Sequence, residues 1–139
     1  MTVSDPRFLR WPLIAGAVFA LLSVMAGAFG AHALKAVVSA RNLEVFQTGA
    51  SYQMYHALAL VLVALISSLP LSRRLLTWAA RCFFAGILLF SGSLYSLVLT
   101  DIHWLGAITP LGGLSFMAGW VCLIVAGLRA QVSSQESQR

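Results

Sequence analysis

The residues best able to carry chemistry lie in one stretch of the chain, from Glu44 to His56. Within it, Glu44, Gln47, Tyr52 and His56 bring together a carboxyl, an amide, a phenol and an imidazole, and His32 lies a short distance upstream. A histidine beside carboxyl and hydroxyl groups can move a proton or hold a small polar ligand. These five residues are the candidate polar site of the sequence.

Four long apolar runs make up most of the chain, at residues 11–31, 45–69, 78–99 and 104–128. A bilayer core about 30 Å thick needs about 20 apolar residues in helix to cross it, and a helix satisfies its own backbone groups in lipid. With 60% hydrophobic and 9% charged residues, the 139-residue chain is unlike a soluble domain. The sequence therefore predicts an all-α membrane protein with four transmembrane helices in a compact bundle.

Lysine and arginine are divided unequally between the two ends of these spans. Lys35 and Arg41 lie on one side, and the opposite side holds Arg7, Arg10, Arg73, Arg74, Arg81, Arg129 and Arg139. Because cytoplasmic loops carry the excess of positive charge, both termini are predicted to be cytoplasmic. The cytoplasmic ends would be residues 1–10 and a polar tail, 129–139, with disorder expected over 130–139. The same bias accounts for the net charge of +5 without nucleic-acid binding.

The second span is the most polar of the four, and His56 lies near its middle. About ten residues separate it from the outer end, which places it about 15 Å deep. An ionisable residue at that depth is either a neutral packing group, hydrogen-bonded to Tyr52 or to a carbonyl, or part of a proton, ligand or haem site. We expect a packing role, with no metal and no cofactor, because metal-site Cys/His spacing is absent from the sequence. Gln53 is expected to point away from the polar faces of this helix.

Small residues repeat along one face of the other three spans. Since lipid supplies no hydrophobic force between helices, close contacts depend on small side chains. We therefore expect helix contacts at six glycines: Gly16, Gly27, Gly30, Gly92, Gly112 and Gly119. The large residues opposite the small face of the third span are expected to meet lipid: Phe83, Ile87, Phe90 and Leu94.

Several segments are similar to a known family. GAFGAHAL at 27–34, FQTGASYQMYHAL at 46–58, GILLFSGSLY at 86–95 and ITPLGG at 108–113 resemble the YgdD-like small membrane proteins. That group is domain-of-unknown-function family 423 and includes the transmembrane protein 256 group. The resemblance implies a four-span inner-membrane protein and supplies no reaction. It draws attention to His32, Gln47, Tyr52 and His56, which lie in the similar segments.

The sequence contains no phosphate-binding loop, catalytic triad or hydrolase motif, so we expect no enzyme and no catalytic residues. The first interpretation is a structural or accessory factor of the bacterial cytoplasmic membrane. Its partners would be the lipid bilayer and either another membrane protein or further copies of the chain. One alternative is a small-molecule or proton-binding protein, a minor transporter, that uses the polar outer half of the second span. The other is a redox-anchor subunit that holds haem or quinone.

Overall fold

A computed structural model describes residues 8–136, with side chains as far as Ala130, and the described chain is helical. The first two long helices are α1 (Arg10–His32) and α2 (Ala40–Ile66), joined by a 3₁₀ turn at Leu34–Ala36. The third long helix is continuous but has three parts: α3 (Arg73–Gly86), a π-helical segment (Ile87–Ser91) and α4 (Gly92–Thr100). A 3₁₀ turn at His103–Ala107 leads to the last helix, α5 (Thr109–Glu136).

Four of these stretches are long and apolar enough to cross a membrane: Arg10–Ala36, Ala40–Ile66, Arg73–Thr100 and His103–Ala130. The predicted all-helical chain with four long apolar helices is therefore confirmed. The ends of the helices differ from the sequence pattern. α2 begins before the apolar run because the Ser39 hydroxyl caps it, accepting the backbone N–H of Asn42 at 3.2 Å. α5 continues to Glu136, past the predicted start of the tail, and residues 1–7 and 137–139 lie outside the described part of the chain.

α1 and α2 pack against each other along their length. A side-chain carbon added at Gly16 would come within 2.6 Å of the Ala57 carbonyl oxygen, and one at Gly30 within 3.2 Å of Phe46. The Ser23 hydroxyl donates to the Ala50 carbonyl at 2.7 Å. These contacts hold the two backbones closer than larger residues would allow.

The third long helix packs its large residues inward, so the expectation that they meet lipid is wrong for two of them. Phe83 and Ile87 are buried, at 0% and 2% exposure. Phe83 lies against Gly119 of α5, where an added side-chain carbon would be 2.6 Å from the phenyl ring. Gly112 of α5 similarly admits Phe90. At this contact the face made of small residues lies on α5, and large side chains of the third helix pack against it.

Two of the six predicted packing glycines are not at helix contacts. A side-chain carbon at Gly27 or at Gly92 would meet nothing within 4 Å in the described structure. Gly92 follows the π-helical segment, whose one additional residue per turn rotates all later residues by about 100° relative to a regular helix. The small residues of the third helix therefore do not form the single continuous face that regular helical spacing predicts.

Candidate functional site

His56 of α2 is a buried residue with partners on both ring nitrogens. Its side chain is 6% exposed. Nδ1 lies 2.8 Å from the carbonyl oxygen of Tyr52, one turn earlier, and Nε2 accepts the indole N–H of Trp120 from α5 at 3.3 Å. Because a carbonyl can only accept, the proton of the ring is on Nδ1, which leaves Nε2 free to accept. The geometry is that of a neutral histidine with both nitrogens satisfied.

The imidazole ring also contacts aromatic rings from two other helices. It lies parallel to the Phe116 ring of α5, with centroids 3.4 Å apart and an interplanar angle of 6°. The Phe83 ring of α3 is 5.7 Å away, centroid to centroid. His56 thus connects α2 to α5 through the Trp120 hydrogen bond and the Phe116 ring stack, and to α3 through the tilted contact with Phe83.

An apolar groove of about 730 Å³ runs beside this stack. Its lining includes Tyr52, His56, Phe90, Phe116 and Trp120. The Tyr52 and Phe90 rings are stacked at 4.7 Å between centroids and form part of one wall. Two of the five residues of the candidate polar site, Tyr52 and His56, border this groove, whereas Glu44, Gln47 and His32 are not among its lining residues. The groove is therefore suited to apolar groups.

The other members of the candidate polar site lie elsewhere. Glu44 and Gln47 are exposed on the outward face of α2, and His32 is exposed at the end of α1. The structure therefore does not bring Glu44, Gln47 and His32 to the groove that Tyr52 and His56 border. Within residues 8–136, no three His, Cys, Asp or Glu side chains are placed together in a way that could hold a metal ion.

A second buried polar residue, Gln53, was missed by the sequence pattern. Its side chain is 4% exposed. Its amide nitrogen donates to the Phe19 carbonyl of α1 at 2.8 Å, and its amide oxygen accepts the Tyr95 hydroxyl of α4 at 2.9 Å. Gln53 therefore links three helices. The available signal was that its neighbours on the same helix face, Gly49, Ala50 and Ala57, carry no polar side chain, since an amide that faces lipid without a partner is costly.

Polar groups of α2 thus fall into two classes. Gln53 and His56 point inward and each ties α2 to two other helices. Glu44, Gln47, Ser51 and Tyr55 point outward and are exposed. The inward residues hold the helices together. The outward residues do not, so their presence on an exposed face must have a different reason.

Comparison with known proteins identifies the family. The family described as protein of unknown function (DUF423) matches residues 26–113. A UPF0382 membrane protein of Staphylococcus aureus (strain bovine RF122 / ET3-1) is 48% identical over 82% of this chain and 92% of its own length. The UPF0382 membrane protein YwdK of Bacillus subtilis (strain 168) is 48% identical over 84% of this chain and 95% of its own length. No solved structure matches the chain. With most of its length matched, the chain is a membrane protein that belongs to the DUF423 family.

Proposed function

We propose that this chain is a non-enzymatic structural or accessory protein of the bacterial cytoplasmic membrane. Its four helices form a compact bundle with both termini in the cytoplasm, and it acts by assembling with a second copy through the outer half of α2. The unequal division of lysine and arginine supports the orientation. The full engagement of His56 and Gln53 in contacts between helices supports a structural rather than a catalytic use of these groups.

The observation that carries the proposal is the outward polar face of α2, formed by Glu44, Gln47, Ser51 and Tyr55. Tyr55 is 59% exposed. Within the described residues, the side chains of Gln47, Ser51 and Tyr55 make no hydrogen bond. A polar side chain that faces lipid without a hydrogen-bond partner is energetically unfavourable. The same side chain can form a hydrogen bond with another helix across an interface, and this favours association of the two helices.

The depth of this face strengthens the argument. α2 has 27 residues, which makes it about 40 Å long, about 10 Å longer than the hydrocarbon core. If the excess is shared between the two ends, Ser51 lies about 11 Å below the hydrocarbon boundary and Tyr55 about 17 Å below it. Water does not reach these hydroxyls in a simple bilayer. A protein surface is then their natural partner.

The residues of the face favour a second copy as that partner. Glutamine, serine and tyrosine side chains each donate and accept, so the same groups can pair across a two-fold axis. Arg41 and Glu44, both exposed, lie one turn apart at the outer end of α2. In a parallel pair of α2 helices, Arg41 of each copy can face Glu44 of the other, which gives two opposite-charge pairs.

Cysteine cross-linking in native membranes tests the assembly. In a chain whose Cys82 and Cys122 are replaced by alanine, Ser51→Cys is expected to form cross-linked dimers. Leu21→Cys is the matched control, because Leu21 is exposed at a similar depth on α1 and the nearby Ser23 shows that the opposite side of α1 faces α2. Equal cross-linking at both positions, or none at Ser51→Cys, would refute the interface.

A charge exchange distinguishes a second copy from a different partner. Arg41→Glu should weaken the cross-link by placing acidic groups opposite each other. The double variant Arg41→Glu/Glu44→Arg should restore it, since the exchanged charges pair again across the two-fold axis. Failure of the double variant to restore the cross-link would count against a self-complementary interface.

The orientation of the protein in the membrane is tested by reporter fusions. A reporter after Thr100 is expected in the periplasm, and a reporter at the C-terminus is expected in the cytoplasm.

A further inference from the structure

The groove beside His56 lies between two helices that hardly meet. α2 and α5 each pack against the third long helix, but few of their residues approach each other. The gap that this leaves, about 730 Å³ in volume, is lined by Tyr52 and His56 of α2, Phe90 of the third helix and α5 residues in the stretch from Pro110 to Trp120. Sites for small molecules have volumes of this order and are mostly apolar, with a few polar groups that orient the ligand.

The groove lies deep in the hydrocarbon core and opens to lipid. If the excess length of the 27-residue α2 is shared between its two ends, Tyr52 lies about 13 Å below the outer hydrocarbon boundary. Leu114 and Met117, two of the lining residues, are exposed on the surface of α5. A ligand therefore enters this groove sideways from the bilayer, and it has to be soluble in lipid.

Aromatic rings form much of the lining. The Tyr52 and Phe90 rings are stacked with centroids 4.7 Å apart, and the His56 and Phe116 rings are parallel at 3.4 Å. Aromatic side chains pack well against other flat rings. Phe90 also belongs to the π-helical segment, Ile87–Ser91, and such segments within α-helices are frequent at functional sites. The lining therefore favours a planar group over a flexible chain.

The Tyr52 hydroxyl supplies the groove with a hydrogen-bond donor. It makes no hydrogen bond within the described chain, whereas both ring nitrogens of His56 are engaged. A polar group without a partner is unfavourable in hydrocarbon. Phospholipids carry their oxygen atoms at the interface, so an acyl chain brings only hydrocarbon to this depth. A ligand that satisfies Tyr52 has to carry an acceptor on the part that enters the groove.

We infer that the groove between α2 and α5 binds the ring of a membrane-soluble quinone. Its planar ring suits the aromatic lining, a ring carbonyl can accept the Tyr52 hydroxyl, and an apolar tail can extend into the surrounding lipid. Binding in this way uses no nitrogen of His56, so the hydrogen bond from Trp120 stays intact. The inference does not rest on the proposed assembly through α2, and either can fail without the other.

Retention of a quinone by the full-length protein tests the site. The purified protein is titrated in detergent with decylubiquinone, and bound ligand is counted by native mass spectrometry. We expect one decylubiquinone per chain at saturation. Decylbenzene carries the same tail on a ring without carbonyl groups, so an excess of it should displace little of the quinone. Absence of retention, or full displacement by decylbenzene, would overturn the inference.

A glycine in the lining allows the groove to be filled. Gly113 lines the groove, and a side-chain carbon added there would meet nothing within 4 Å. Gly113→Leu should therefore occupy the groove without displacing the protein, and the apparent affinity for decylubiquinone should fall by about tenfold or more. The matched control is Gly127→Leu, because Gly127 has equally open surroundings on the same helix and does not line the groove. Equal affinities of the two variants would contradict the site.

The hydroxyl is tested by a second matched pair. Tyr52→Phe keeps the ring and removes the donor, and it should weaken decylubiquinone binding about fivefold, as expected for one hydrogen bond. Tyr55→Phe removes the hydroxyl of an exposed tyrosine that does not line the groove, and it should leave the affinity unchanged. Equal effects of the two changes would refute the role of Tyr52. If Gly113→Leu abolished the Ser51→Cys cross-link and left quinone retention unchanged, the groove would belong to a second copy.

Discussion

Trp120 of α5 donates its indole N–H to Nε2 of His56 on α2, across 3.3 Å. The bond joins two residues far apart in the chain and uses the acceptor nitrogen that the neutral imidazole has available. Together with the Nδ1 contact to the Tyr52 carbonyl, it leaves no ring nitrogen of His56 for a metal, a haem or a transferred proton. The alternative interpretations of His56 therefore require this bond to break first.

Removal of the imidazole tests its packing role. His56→Ala leaves the Trp120 indole without its acceptor and a void beside Phe116, so we expect the free energy of unfolding to fall by about 1–3 kcal/mol. The measurement is chemical unfolding in detergent micelles. Leu58→Ala, at an exposed position two residues later on the opposite side of the helix, is the control and should have little effect. A His56→Ala protein as stable as the parent would instead indicate that His56 is retained for a ligand.

The Gln53–Tyr95 hydrogen bond should be measurable by a double-mutant cycle. Tyr95→Phe removes the donor and Gln53→Met removes the acceptor, and we expect a coupling energy of about 0.6 kcal/mol, the average found between membrane helices. The phenol of Tyr52 makes no hydrogen bond within the described chain, so the cycle of Tyr52→Phe with Gln53→Met should show no coupling. Equal coupling in the two cycles would contradict the geometry.

Replacement by alanine should change the stability of the protein in opposite directions at Gly119 and Gly27, although both glycines follow a Met-Ala pair. At Gly119 the added carbon meets the fully buried Phe83 ring at 2.6 Å, and we expect a loss of about 1–3 kcal/mol from overpacking. At Gly27 nothing lies within 4 Å, and alanine should stabilise the helix by up to about 1 kcal/mol. Thermal unfolding in detergent compares them. A similar change at both positions would show that the α3–α5 contact is wrongly placed.

Neighbouring aliphatic residues in the third helix provide a test of its inward face. Ile87 is 2% exposed and Leu88 is 54% exposed. Ile87→Ala should destabilise the protein by about 2–5 kcal/mol, because it leaves a cavity among packed side chains. Leu88→Ala removes a similar side chain from the outer surface and should cost much less. The reverse order would restore the interpretation in which Ile87 meets lipid.

The number and type of spans could be predicted from the sequence because both depend on local properties. A run of about 20 apolar residues satisfies the length of the bilayer core wherever its neighbours lie, and only a helix satisfies its backbone there. The family resemblance was also carried by contiguous segments, such as residues 46–58. His56 could be selected for the same reason, since a histidine inside an apolar run is unusual whatever surrounds it.

Which face of each helix points inward could not, by contrast, be predicted from the sequence, because it depends on the partner helices. Gln47 and Gln53 are the same residue type on one helix, yet Gln53 is buried because the Phe19 carbonyl and the Tyr95 hydroxyl meet it, and Gln47 is exposed. Phe83 is buried because Gly119, on another helix, leaves room for its ring. Lipid is as apolar as the side chains themselves, so an apolar residue is tolerated on either face of a span and hydropathy does not distinguish an inward face from an outward one. That choice is made by the fit between helices and by the hydrogen bonds that cross them, and both exist only once the helices have packed.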